Sequence, residues 1–483
     1  MILQIYKVLR ITFFILFFII SFYSTKFYEG SIFIYITYCL SLICMLFYLT
    51  DKKASYFEIF FSIYLFLGFW FKYVFSLILY DGIVYDSNVE QIPLKNLDEI
   101  LFLGILIALT CIIASFLFRI SKKRYPLQNK KILEKSFFSD LYLKNRIIVL
   151  TFFLVFVTLF AFLNLKFGIH QRGFLYHYEL PSLIINLVKW FLLFGFTTFS
   201  CFIFHVEIRY LKKLNIFTMI IIFFEVFSSY TSMLSRSFII NSSSLMLPIY
   251  QQSTKLLKKY DIKLIILFIF ILILTVVSIF AANNIRIEKL ENVKLEYKEF
   301  VLNNSDKSSQ NDPTTIEKLK NYNFLPKKKI DNDKPSVKHF AKTPIKPSSK
   351  DLINFMLINR WTGIDSLILV SSYENKGFDL FLRALKENKN HLDYTFYEKE
   401  FGLADVKTNV DTTKTIMKGN TLPGIISFLY YTGSPTFLLL SIILIFFVFN
   451  FLENFLRYIT DNNLVFMCFI SNMIATRLFH FGY

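Results

Sequence analysis

About eleven apolar runs dominate this chain, most of them roughly 17–25 residues long, each enough to cross a lipid bilayer as a helix. They lie near residues 11–25, 31–50, 56–80, 99–118, 147–166, 182–206, 214–230, 237–250, 262–282, 435–452 and 463–480. Hydrocarbon offers no water to satisfy backbone N–H and C=O groups, so such runs are read as helices. The expected fold class is therefore an all-α polytopic membrane protein with about 11 transmembrane helices and one large periplasmic loop.

Composition agrees. The 483 residues are 55% hydrophobic and 19% aromatic, with 60 phenylalanines, against roughly 45–50% apolar in soluble domains. The net charge of +18 would point to a nucleic-acid partner in a soluble chain. Here it collects between apolar runs, as in cytoplasmic loops that meet anionic headgroups, and nucleic acid is not expected as a partner. The five cysteines, Cys39, Cys44, Cys111, Cys201 and Cys468, lie in or beside apolar runs without Cys-x-x-Cys spacing and read as small hydrophobes. The first run has no small-residue cleavage site after it and reads as the first span.

Charge sets an expected topology. Lys7 and Arg10, Lys52 and Lys53, Arg119 to Lys131, Arg209 to Lys213 and Lys255 to Lys259 mark alternate loops. The loop after the third span instead carries Asp81, Asp86, Glu90, Asp98 and Glu99 with only Lys95. Basic loops stay cytoplasmic, which puts the N-terminus inside. The chain then divides into residues 1–282 with nine spans, a large outer loop 283–423, and residues 424–483 with a re-entrant or interfacial helix and the last two spans. Within the loop, 303–350 is Lys-, Ser- and Pro-rich and reads as a flexible tether, whereas 352–423 regains periodicity. Phe355, Ile358, Trp361, Ile364, Leu367 and Leu369 fit short helices lying on the membrane surface.

No Walker loop, Gly-x-Gly-x-x-Gly, His-Glu-x-x-His or Gly-x-Ser-x-Gly occurs, and the histidines form no ligand-spaced metal cluster. Neither cofactor nor metal is expected. Lysine far outnumbers arginine, so arginines at the outer boundaries stand out: Arg172 in His170-Gln171-Arg172-Gly173, Arg236 in Ser235-Arg236-Ser237, Arg286 after Asn283-Asn284, and Arg360 in Asn359-Arg360-Trp361-Thr362-Gly363. A guanidinium is a rigid fork that grips phosphate oxygens in pairs. The bland alternative is that each only reaches toward headgroups. Asp365 follows Arg360 by five residues, and His170 and His177 share the other large outer turn. Glu225 lies inside the seventh span, where a carboxylate must be paired, functional or hydrogen-bonded to neighbouring serines. Asn241 with Ser242, Ser243 and Ser244 gives the eighth span a polar face suited to a cavity lining. Pro423 and Gly424 break the chain ahead of a short apolar helix ending at Gly433.

This layout resembles the oligosaccharide repeat-unit polymerases of the O-antigen polymerase (Wzy-type) family. Ser235-Arg236, Asn359-Arg360-Trp361-Thr362-Gly363, Leu422-Pro423-Gly424 and Tyr431-Thr432-Gly433 carry the local likeness; the Lys-rich insert 303–350 departs from it. The resemblance implies a multi-pass glycosyltransferase of the bacterial inner membrane, metal-independent, working at the periplasmic face in lipopolysaccharide or other surface-polysaccharide biosynthesis. Its substrates would be undecaprenyl-pyrophosphate-linked oligosaccharides in the lipid bilayer, and a chain-length regulator is the protein partner it suggests. Arg286 and Arg360 would stabilise the pyrophosphate leaving group, Asp365 would act as base, and Arg236, Arg172, His170 and His177 would bind substrate. The rivals are an O-antigen ligase-like glycosyltransferase, with the same donor and a lipid A core acceptor, and a polysaccharide flippase or other transporter. A transporter is expected to carry internal repeats and charged residues in many spans, which are not evident here.

Overall fold

The structure, a computed structural model, describes residues 2–79, 83–86, 89–93, 97–124, 137–171, 174–175, 180–211, 215–235, 238–256, 262–305, 358, 361–387, 395–401, 416–417 and 423–480. Each apolar run lies on a helix: α1 (Ile2–Ser24), α2 (Ile32–Leu49), α3 (Tyr56–Leu79), α4 (Asp98–Arg124), α6 (Arg146–Phe167), α7 (Ser182–Leu211), α8 (Ile216–Ser232), α9 (Phe238–Leu256), α10 (Ile262–Ser305), α15 (Pro435–Ile459) and α16 (Leu464–Phe479). Eight of these, all but α8, α9 and α16, contain stretches long and apolar enough to cross a membrane. Shorter helices are α5 (Phe137–Lys144), α11 (Ile364–Ser371), α12 (Phe378–Leu385), α13 (Phe396–Glu400) and α14 (Gly424–Leu429). Two small antiparallel pairings depart from a purely helical fold: β1 (Ile83–Asp86) with β2 (Val89–Pro93), and β3 (Phe174–Leu175) with β4 (Ile416–Met417).

Local chemistry sets the helix ends. Ser55 and Glu58 form a reciprocal capping box at the start of α3. Asn215, Ser434 and Asn463 accept from the backbone N–H groups of Phe217, Phe437 and Phe466, and Pro435 opens α15. Gly168, at φ 65°, ends α6 in the left-handed conformation. With neither glycine nor proline between Ile262 and Ser305, α10 runs on well past residue 282, where the apolar run ends. The large loop therefore leaves a helix that continues beyond its own apolar stretch.

Contacts sort the connections into two ends. At one, Arg10 pairs with Asp51, Arg119 with Glu58, Arg146 with Glu207, and Arg209 with Asp461, while the Tyr56 hydroxyl donates to Gln251. These pairs join the N-terminal segment and the even-numbered loops. At the other end, Asp98 accepts from the Tyr28 hydroxyl and the Ser31 N–H, β3 pairs with β4, and Arg286 reaches Leu234. These join the connection after α1 to the one after α3, and the connections after α6 and α8 to the segment that follows residue 282.

The interior forms two hydrophobic clusters. One gathers α1 to α4, α11 to α14 and α15; the other gathers α5 to α10. Helix α16 serves both: Met467, Cys468, Ala475 and Phe479 face the first cluster, Val465 and Phe469 the second. Helices in lipid gain little from hydrophobic burial against each other, so close packing and interhelical hydrogen bonds align them. Asn472 of α16 supplies such bonds on both sides, donating to Asn241 of α9 at 3.0 Å and accepting from Tyr64 of α3 at 3.2 Å.

Candidate functional site

The first part of the site is a rim on the second cluster. At the end of α6, Asn164 is fully buried; its Oδ1 accepts from the His170 N–H at 2.7 Å and its Nδ2 donates to the His170 carbonyl at 3.1 Å and to Ser232 Oγ at 3.3 Å. Gln171 donates back to the Asn164 carbonyl. An amide that bonds both faces of a following peptide fixes the turn after Gly168. Ser232 ends α8, and the Ser235 N–H returns to the Tyr230 carbonyl while Leu234 takes φ 51°. A branched residue in the left-handed region costs free energy, so the surrounding contacts must hold this turn. One of them is Arg286 of α10, half-buried, whose Nη2 donates to the Leu234 carbonyl at 3.1 Å. Asn164, which holds the His170 backbone, and Arg286 thus both bind the turn that leads directly into Ser235-Arg236.

The second part lies in the first cluster, where the large loop enters the bundle. Helix α3 widens into a π turn at Leu67–Phe71, a local irregularity that frequently accompanies function. There Gly68 meets Gly363 backbone to backbone, so a Cβ on either residue would collide with the other segment. Ser366 Oγ lies 2.8 Å from the Pro423 carbonyl and 2.9 Å from Ser427 Oγ, tying α11 to α14. Gly424, at φ 69°, packs against the Phe479 carbonyl and the Thr362 methyl. Between these contacts, Lys72 Nζ donates to Asp365 Oδ2 at 2.7 Å, with only 2% and 10% of the two side chains exposed. Trp361 sits 6.5 Å from the Tyr64 ring.

Farther out, Arg383 pairs with Asp379 and Glu400, and Tyr373 donates to Glu400 at 2.6 Å. Burial, followed by that hydrogen bond, pushes the Tyr373 phenol up to about 12, so it stays a neutral donor at physiological pH.

The expected site residues are distributed as follows. Arg286 binds the Leu234 carbonyl at the α8 turn, and the His170 backbone is tied through Asn164 to Ser232, which ends α8. Asp365 is buried in the other cluster, held by Lys72. Arg172, His177, Arg236 and Arg360 lie outside the described residues. Glu225 meets the hydroxyls of Ser200 and Ser229 at 3.2 Å each and of Thr197 at 3.5 Å, which is the hydrogen-bonded alternative for that carboxylate. Asn241 accepts from Asn472 at 3.0 Å, and Ser243 is exposed. Helix α11 is not a surface helix: Ile364, Leu367 and Ile368 are buried in the first cluster because the glycine contact draws the segment inward. Among the described residues, no group of histidine, cysteine, aspartate and glutamate could hold a metal ion.

Lys72 is the residue that sequence reading passed over. Its signal was there: a lysine within the apolar run 56–80, which needs a counter-charge or a route to water. Comparison with protein-family models, curated proteins and solved structures gives no match to this chain.

Proposed function

We propose that this protein polymerises undecaprenyl-pyrophosphate-linked oligosaccharide repeat units at the periplasmic face of a bacterial inner membrane. In this reading all eleven long helices span the bilayer, the three shorter ones included, with the basic end cytoplasmic and the large loop periplasmic. The observation that carries it is the Arg286 guanidinium bound to the Leu234 carbonyl at the α8 turn, at the end opposite the basic loops. A guanidinium fixed at a bilayer boundary suits a pyrophosphate whose charge grows as the glycosyl bond breaks. Arg236 directly follows Ser235 and would add a second fork; Arg360 and Arg172 would complete the grip. The acceptor hydroxyl must lose its proton, and His170, whose backbone is tied through Asn164 to Ser232 of the α8 turn, is the group the rim offers. Asp365, buried against Lys72, serves the loop's position in this account rather than proton removal.

Deleting the gene in its host and running the surface glycan on a gel tests the proposal. Loss of long chains with the single-repeat product retained supports polymerisation. Loss of every capped product would support the ligase reading instead, and an accumulation of lipid-linked repeat units on the cytoplasmic side would support transport.

A further inference from the structure

Three contacts converge on one short stretch of the large loop. Gly363 is pressed against Gly68 of the π turn, Asp365 is paired with Lys72, and Ser366 bonds the Pro423 carbonyl and Ser427. The glycines and hydroxyls define where the segment can sit. The ion pair adds a requirement of another kind. An ammonium buried in a helix of a membrane bundle is costly without a counter-charge, and removing either partner strands the other. The charge on α3 therefore selects the docked arrangement of the loop over any arrangement that leaves Lys72 unmet. Asp365 also lies in the first turn of α11, where a carboxylate favours the helix.

We propose that Lys72 is a positioning residue for glycan transfer: by pinning Asp365 it holds Trp361–Ser366, the residues that directly follow Arg360, against α3. This rests on the polymerase reading. It adds that transfer requires the docked loop, and that a charge within α3 decides the docking.

Two measurements on the full chain in membranes separate the parts. Hydrogen exchange of residues 361–371 reports docking whatever the activity is; the glycan ladder reports transfer. Lys72→Met should speed exchange and cut chain extension by about tenfold or more each. Lys72→Asp should do the same, and the exchanged pair Lys72→Asp with Asp365→Lys should recover both, a rescue that a general packing defect would not give. Should the exchanged pair fail to accumulate, Asp365→Asn decides: it too should speed exchange and shorten chains. Wild-type exchange in Lys72→Met would overturn the latch. Faster exchange with a full-length ladder would overturn the positioning role. If gene deletion leaves the glycan unchanged, the polymerase reading and the transfer half of this proposal fall together, while exchange alone still decides whether Lys72 docks the loop.

Discussion

The two clusters solve the same problem, polar groups inside a membrane bundle, in different ways. The second is built from residues 137–305 with one face of α16, and two of its main polar centres are neutral-donor cages: Glu225 among three hydroxyls, Asn164 around the His170 turn. The first is assembled from both ends of the chain, and its polar groups are paired across long sequence distances. Lys72 meets Asp365, Glu58 accepts from Asn450, and Glu453 accepts from the Phe57 N–H. Local cages stabilise a bundle that its own sequence already brings together. A distant charge pair instead specifies which remote segment arrives, and here Lys72 and Asp365 bring in the large loop. The second cluster therefore reads as the scaffold of the α8 rim, and the first as the dock for the loop.

The sharpest way to break this contrast is at the glycine contact. Gly363→Val should destabilise the fold by about 3 kcal/mol or more, since overpacking against backbone leaves nothing flexible to yield; a marked drop in membrane abundance checks it, and normal abundance would count against the docked loop. Next in size is the interior cage. Glu225→Ala should cost about 1–3 kcal/mol in detergent thermal unfolding by leaving Thr197, Ser200 and Ser229 without their acceptor. Glu225→Gln, which retains an acceptor oxygen, should cost less than about 1 kcal/mol. A larger loss in Glu225→Gln than in Glu225→Ala would mean the carboxylate has a role beyond the cage. The smallest effect is expected at the seam. Asn472→Ala should cost about 0.6–2 kcal/mol, as for other interhelical hydrogen bonds in membranes, because it removes the bond of α16 to Asn241 of α9 and one of its two bonds to Tyr64 of α3. No change at all would show that packing alone aligns the clusters.

Much of the fold was legible because lipid imposes long apolar runs, and every such run lies on a helix. Basic residues recur on alternate connections, and ion pairs of Arg10, Arg119, Arg146 and Arg209 link those connections to one another. The continuation of α10 to Ser305 was also written in the sequence, as the absence of glycine and proline, but the charged residues there read as loop. The site was less legible. Arg286 stands out by residue type, yet its partner is the Leu234 carbonyl, and a backbone acceptor carries no residue signature. Gly68 and Gly363 are unremarkable alone; only their meeting, some three hundred residues apart in the chain, gives them meaning. The same holds for Lys72, whose counter-charge could not be chosen among distant acids from one sequence.

The most direct test of the functional account is the surface-glycan ladder of a strain whose only copy carries Arg286→Ala, with membrane abundance measured in parallel. At normal abundance, chain extension should fall by about a hundredfold or more, leaving the single-repeat product. A ladder of wild-type length at that abundance would contradict the claim that this guanidinium grips the lipid-linked pyrophosphate.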